Sequence, residues 1–153
     1  MQPTLNCDYR VAHATQQLPL GFKYTLPSVN RTVAADHVQV DAGPLELVYV
    51  CNGTGATIDA GDVCLRTAAT ETGIVRTAPI GLAPAMQTMG VALFDIPTLQ
   101  YGFIAYKGIV PVKHEAGTTV ANLSIVHGAT TAGCIDAMGP GEEENVFGLG
   151  ITN

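Results

Sequence analysis

The side chains able to do chemistry in this chain are few and scattered. The histidines are His13, His37, His114 and His127. His114-Glu115 sets a carboxylate beside an imidazole, but neighbours in a strand point to opposite faces, so the pair is poorly built as a catalytic dyad. The cysteines are Cys7, Cys51, Cys64 and Cys134. None forms a C-x-x-C pair, and the close spacing that a zinc site needs is missing. Cys64 lies within an apolar strand pattern and Cys134 next to one, so all four read as buried free thiols acting as small hydrophobes. Gly141-Glu-Glu-Glu-Asn145 could offer oxygen ligands to calcium or magnesium if several copies met on a symmetry axis. A solvated hairpin tip is the ordinary use of such a run. Asp59-Ala-Gly-Asp62 reads as a turn, too short for an EF-hand ladder. No G-x-S-x-G, P-loop or dinucleotide fingerprint is present, and no Ser or Thr has a base placed by motif. The expectation is a chain with no catalytic residues, metal site or cofactor.

The elements around these residues read as β. Leu45-Glu-Leu-Val-Tyr-Val-Cys51 ends at the turn dipeptide Asn52-Gly53. Thr57 to Leu65 encloses the turn Ala60-Gly-Asp before Val63-Cys-Leu. Further strands are expected at 73–77, 90–96 (closed by Pro97), 102–106 and 109–113. Glycines 53, 61, 73, 102 and 133 should lie in turns or at strand ends, since such positions call for a residue without Cβ. Short strands at short turn spacing indicate an all-β fold, a small β-barrel or compact β-sandwich. A short helix has room only around 82–89 or within the first forty residues.

The 153 residues suffice for one domain with a real core. Charged residues make up only 13% and hydrophobic ones 47%, which predicts an ordered chain with apolar surface covered by partner subunits. Net charge is −6, so direct binding to nucleic acid is not expected. No run of 18 apolar residues suggests a membrane span, and the start Met-Gln-Pro-Thr does not read as a signal peptide. Without one, the triplets at Asn30, Asn52 and Asn122 read as chance glycosylation matches.

Residues 1–40 differ from the body, 41–153. They carry three of the seven basic residues against two acids, whereas the rest carries four bases against eleven acids. Pro3, Pro19 and Pro27 break the segment, and strand alternation is weak apart from Phe22 to Leu26. It reads as an extended N-terminal arm. Aromatic and arginine side chains are the usual anchors of interfaces, so Tyr9, Arg10, Phe22, Tyr24 and Arg31 are the partner-interface candidates. The other use of such an arm is to pack on its own barrel.

The body also carries an internal echo. Residues 57–65 resemble 119–127, Gly73-Ile-Val resembles Gly133-Cys-Ile, and Met89-Gly-Val-Ala-Leu resembles Phe147-Gly-Leu-Gly-Ile, at offsets of 62, 60 and 58. Each half would be a small meander unable to bury its apolar face alone.

Asp59-Ala-Gly-Asp-Val-Cys-Leu, Met89-Gly-Val-Ala-Leu-Phe-Asp-Ile, Tyr101-Gly-Phe-Ile-Ala-Tyr-Lys-Gly-Ile-Val and Phe147-Gly-Leu-Gly-Ile-Thr together resemble the body of tailed-phage head decoration (cement) proteins. The resemblance spans roughly residues 50–153. It implies a virion protein, made in the host cytoplasm, that sits on the capsid surface. There it would bind the major capsid protein and brace neighbouring subunits, often as a homotrimer, with no active site to carry over. The rival reading is a ligand- or carbohydrate-binding β-barrel module on a virion or secreted protein. The absence of tryptophan weakens it, because sugar platforms rely on exposed aromatics. A small hydrolase is the remaining class, and it lacks a nucleophile constellation.

Overall fold

The computed structural model describes residues 7–27, 30–33, 38–41, 44–67, 73–77, 88–116, 124–127, 131–137 and 148–149. These form eleven strands: β1 (Lys23–Leu26), β2 (Asn30–Val33), β3 (Val38–Asp41), β4 (Leu45–Asn52), β5 (Val63–Arg66), β6 (Ile74–Thr77), β7 (Thr88–Ala92), β8 (Tyr101–Lys107), β9 (Ser124–His127), β10 (Ile135–Ala137) and β11 (Gly148–Leu149). No helix occurs among the described residues, and the room left for a short helix around 82–89 falls mostly outside them.

The main sheet closes on itself. Strands run β4-β6-β5-β7-β8, and β8 returns to pair with β4, while β1 adds to the first half of β4. All its pairings are antiparallel except β4 with β6, which is parallel through Cys51↔Ile74 and Asn52↔Val75. One apolar cluster draws on all five ring strands: Val48, Val50, Cys64, Val75, Ala92 and Ile104, joined by Ile58 and Ile96 from the loops. Alternation along β4 and β8 sends Leu45, Leu47, Tyr49, Phe103 and Ala105 to the opposite face, where they form a second cluster. Closure is tight where β7 meets β8. A Cβ on Gly90 would lie 2.2 Å from the Ala105 carbonyl oxygen, so only glycine fits there.

Two expected strands are corrected. The segment 109–113 is not a strand and makes only a single bridge just beyond it, His114↔Ile135. Lys107 ends the ladder, and Gly108 turns the chain at φ 121. The strand expected over 90–96 stops at Ala92; Ile96 forms an isolated bridge with Ile58 across the turn.

The echo seen in the sequence is a structural repeat. In the main sheet the order is β6-β5-β7, and the separate three-stranded sheet has β10-β9-β11. Cys64↔Thr77, Leu65↔Arg76 and Arg66↔Val75 have counterparts in Ile125↔Ala137, Val126↔Asp136 and His127↔Ile135. Val63↔Val91 and Cys64↔Gly90 likewise match Ser124↔Leu149 and Ile125↔Gly148. The offsets of 60 and 58 hold, but β5 maps onto β9 at 61 rather than 62. A slip of one residue exchanges the two faces of a strand, so this correction decides which positions correspond. Gly73 and Gly133, which precede β6 and β10, adopt matching φ values of 82 and 79. The parallel contact recurs too: Gly53 N–H donates to the Val75 carbonyl at 3.0 Å, and Glu115 N–H to that of Ile135 at 3.1 Å.

A third, partial instance begins the chain. Gly21 and Gly61 have φ values of 80 and 86 and lie two residues before β1 and β5. Gly21 N–H donates to Tyr49 and Tyr49 N–H to Phe22, both at 2.8 Å; Gly61 with Ala92, and Ala92 with Asp62, repeat the exchange at 2.8 and 2.9 Å. β1–β4 therefore stands to the first unit as β5–β7 stands to the second and β9–β11 to the third.

Candidate functional site

The richest polar cluster lies where the second unit meets the third. Asp59 and Asp62 flank the Gly61 turn that launches β5, and Lys113 sits on the segment that precedes the His114 bridge. Lys113 N–H donates to the Gly61 carbonyl at 2.9 Å, and a Cβ on Gly61 would lie 3.1 Å from the Lys113 Cγ. The Lys113 Nζ donates to Asp62 Oδ1 at 2.8 Å and to Asp59 Oδ2 at 3.2 Å. Asp62 is buried, and its other oxygen accepts from Asp59 N–H at 3.1 Å and from the Thr77 hydroxyl at 3.4 Å. Across the junction, Val63 N–H donates to the Gly133 carbonyl at 2.8 Å. The buried Glu115 carboxylate accepts from Thr131 N–H at 2.8 Å.

The electrostatics of this cluster point to anchoring. Burial pulls the Lys113 ammonium down, but the bonded Asp62 and Asp59 carboxylates outweigh it, and the net shift is upward from 10.5. A lysine held as ammonium is not a nucleophile. Burial, then the charge of Asp62, raises the Cys134 thiol, and the same causes push Cys64 up to about 12. Both thiols stay protonated at neutral pH and are poor nucleophiles.

Among the described residues, Cys7 and His13 make the one contact that looks like a nucleophile and its base. The Sγ lies 3.2 Å from His13 Nε2, which also lies 3.0 Å from the Asp8 carbonyl oxygen. A carbonyl only accepts, so Nε2 carries the proton and donates; in that tautomer it cannot take a proton from the thiol. Burial and the nearby Asp8 charge raise the Cys7 pKa further. The His114-Glu115 pair also fails as a dyad, because His114 Nδ1 bonds the Glu115 backbone carbonyl at 2.9 Å and not its carboxylate.

A third cluster braces the β4–β8 end. Glu46 accepts from the Tyr106 hydroxyl and pairs with Lys107 at 3.0 Å, while Lys23 stands 4.6 Å over the Tyr106 ring. The Tyr106 hydroxyl first, then Lys107, hold the Glu46 carboxyl below its usual range. The fully buried Asn52 serves the opposite end. Its amide donates to the carbonyls of Ala56 and Ile96, both at 2.8 Å, and its oxygen accepts from Thr54 N–H and hydroxyl at 2.9 and 2.6 Å. Beside it, the exposed Leu99 is held at φ 59 by its N–H bond to the Asn52 carbonyl at 3.0 Å.

The interface candidates are dispersed. Tyr9, Phe22 and Tyr24 are partly buried against the second apolar cluster, together with Leu18, Leu20 and Leu26. Residues 7–22 thus run as a strap over the outer face of β4 and β8. Arg10 is exposed, bonded to Asp8 at 3.0 Å and 5.9 Å from the Tyr9 ring. Arg31 lies on β2, opposite Val40 in register. The acidic run 141–145 falls outside the described residues. Among the described residues, no three His, Cys, Asp or Glu side chains converge as a metal site requires. Cys7, Cys51, Cys64 and Cys134 are free. Asp62, Lys113 and Asn52, which hold the turns together, were not legible as partners: Asp59-Ala-Gly-Asp62 marked a turn, but nothing marked Lys113 as its counterion. No protein-family model matches the chain, and no curated protein or solved structure matches it either.

Proposed function

We propose that this chain is a structural virion protein that sits on the outer surface of a phage capsid and stabilises contacts between major capsid protein subunits. One observation carries the reading. The ionic and buried polar groups at the turns, Asp62 with Lys113 and Asn52 with Thr54, are spent on fastening one part of the barrel to another. That use of polar chemistry suits a stiff brace. The residues that resemble decoration proteins support it, because the first three motifs fall on the turn before β5 and on β5, β7 and β8, where they set the barrel's shape. A brace needs broad contact more than one strong site, and many copies on a lattice add avidity. Since Tyr9, Phe22 and Tyr24 are drawn onto the chain's own barrel, attachment falls to Arg10, to Arg31 on β2 and to the rims of the barrel.

The test is reconstitution. Capsids lacking the protein are mixed with purified protein, sedimented and then heated to release DNA. Co-sedimentation with a raised release temperature is expected. Protein that stays in the supernatant, or binds without shifting release, refutes the reading. A glycan array on the same protein tests the carbohydrate-binding alternative.

A further inference from the structure

Leu99 carries two costs that bring a lone copy of the chain no gain. It is the most exposed of the large apolar side chains among the described residues, at 68% against 45% for Val11 and 40% for Ile109. Its backbone is held at φ 59, in the left-handed region that favours glycine or asparagine. A single exposed leucine is ordinary on a protein surface. A leucine kept exposed at a strained position is not, because asparagine or glycine there would remove both costs.

The turn that presents Leu99 is firmly held. Gln100 N–H donates to the Pro97 carbonyl at 3.0 Å, Leu99 N–H to that of Asn52 at 3.0 Å and Asn52 N–H to that of Gln100 at 2.9 Å. The Asn52 amide also donates to the Ile96 carbonyl at 2.8 Å, so the turns 52–57 and 97–100 form one piece. The strap joins them through two bonds between His13 and Tyr101, at 2.7 and 2.9 Å.

These three segments share a second property. Residues 11–22, 47–58 and 96–106 hold no Asp, Glu, Lys or Arg, in a chain of net charge −6. The described charges that border the corner are paired or turned away. Asp8 and Arg10 bond each other at 3.0 Å. Arg66 stands beyond β6 from Asn52, its Nε turned to the Met89 sulfur at 2.9 Å. Asp59 and Asp95 lie on the far side of the Ile58↔Ile96 bridge.

We propose that this corner is where copies of the chain meet, Leu99 of each packing on the same corner of a neighbour about a rotation axis. Charge argues for that occupant. A rotation axis sets the residues nearest it against their own copies, so every unpaired charge there meets its like, at a cost. In an acidic chain, a corner without net charge lets copies meet without that cost. A basic partner would be met instead on the acidic body. The proposal goes beyond the lattice reading and does not depend on it.

Leu99→Asn tests it in the full chain, since asparagine suits φ 59 and leaves the fold in place. Light scattering after size exclusion, over a series of concentrations, should show an oligomer for the parent. The variant should dissociate at a concentration about tenfold higher or more, from the loss of one buried leucine per contact. Unfolding in dilute protein, where copies are apart, should find the variant at least as stable, which separates a lost contact from a damaged fold. Ile109→Asn, at an exposed apolar residue outside the corner, should leave association unchanged. A monomeric parent overturns the proposal. So does a Leu99 variant that associates as the parent does or is less stable when dilute, or an Ile109 variant that weakens association as much. A Leu99 variant that associates normally but no longer sediments with capsids gives the corner to the capsid protein and also overturns it. If copies join here yet do not bind capsids, the lattice reading falls alone.

Discussion

Replacing Lys113 with methionine tests whether the Asp62–Lys113 pair fastens the second unit to the third. The stem keeps its length, and only the charge and its hydrogen bonds go. Two unit charges about 3 Å apart attract by roughly 5 kcal/mol at an effective dielectric of about 20. Much of that is offset by desolvation. The Asp62 side chain is 7% exposed and that of Lys113 40%, so water can reach the ammonium end but hardly the carboxylate. Breaking a fully buried pair costs about 3–5 kcal/mol, and an exposed pair is worth about 0–1. Asp62 would keep its bonds from Asp59 N–H and Thr77. The expected loss is therefore about 2 kcal/mol, or a drop of roughly 1 M in the urea midpoint for a slope near 2 kcal/mol/M. The pH dependence has a definite sign. In the parent the Lys113 pKa is raised above 10.5; its contribution is full below the unfolded-state value and fades only as pH rises through the folded-state one. Urea unfolding at neutral pH and at a pH above the Lys113 value, read by far-ultraviolet dichroism, should show the full deficit in the first and a smaller one in the second. A midpoint at neutral pH equal to the parent's, or a deficit that does not shrink at the higher pH, refutes the argument.

Asn52→Leu should cost about 3 kcal/mol in urea unfolding: Thr54 N–H loses its acceptor inside the fold, whereas Ile96 and Ala56 retain other donors. Gly73→Ala and Gly133→Ala should each cost about 2–4 kcal/mol, since both sit at positive φ and the new methyl would lie 2.8 Å from Leu20 Cβ or 2.7 Å from Asp62 Cγ. Only the Gly73 change should speed proteolysis of residues 7–22, read by timed digestion and mass spectrometry. Leu99→Asn should leave the fold intact and raise stability slightly, by up to about 1 kcal/mol, read as a higher thermal midpoint, because Asn tolerates the left-handed region better. Cys64, fully buried with its pKa pushed up to about 12, should resist iodoacetamide at pH 8 in native protein and react fully in urea.

The strands were legible where short apolar runs rich in β-branched and aromatic residues lie between glycines, as over β4 and β8, which are buried on both faces and so leave near-continuous hydrophobic runs in the sequence. Segment 109–113 misled for a physical reason: Ile109-Val-Pro-Val has strand composition, but Pro111 has no N–H to give a ladder, and Gly108 has already turned the chain. The repeat was legible in its glycines, which answer to backbone conformation, and displaced by one residue in β5 and β9, where adjacent hydrophobic residues in the sequence, Val63-Cys-Leu65 and Ile125-Val126, match equally well in two registers. The first unit was invisible as a repeat. It shares backbone bonds with the second while its side chains differ, Phe22 standing where the second unit has Asp62. The aromatics read as anchors for a partner also serve, without any distinguishing mark, as the cover for Leu47, Tyr49 and Phe103.

The matched turns at Gly73 and Gly133 have an energetic consequence. The first receives Leu20 and Gly21, the second Asp62 and Thr77, so each turn is a socket filled by the segment before it. The second unit is thus gripped on both sides, by the strap and by the third unit, whereas the third is gripped on one. In a chain of units coupled to nearest neighbours, such asymmetry makes resistance to opening uneven. Backbone amides of β4, β5 and β8 should exchange last and those of β9–β11 first, so the protein would loosen from one end while its barrel stays shut.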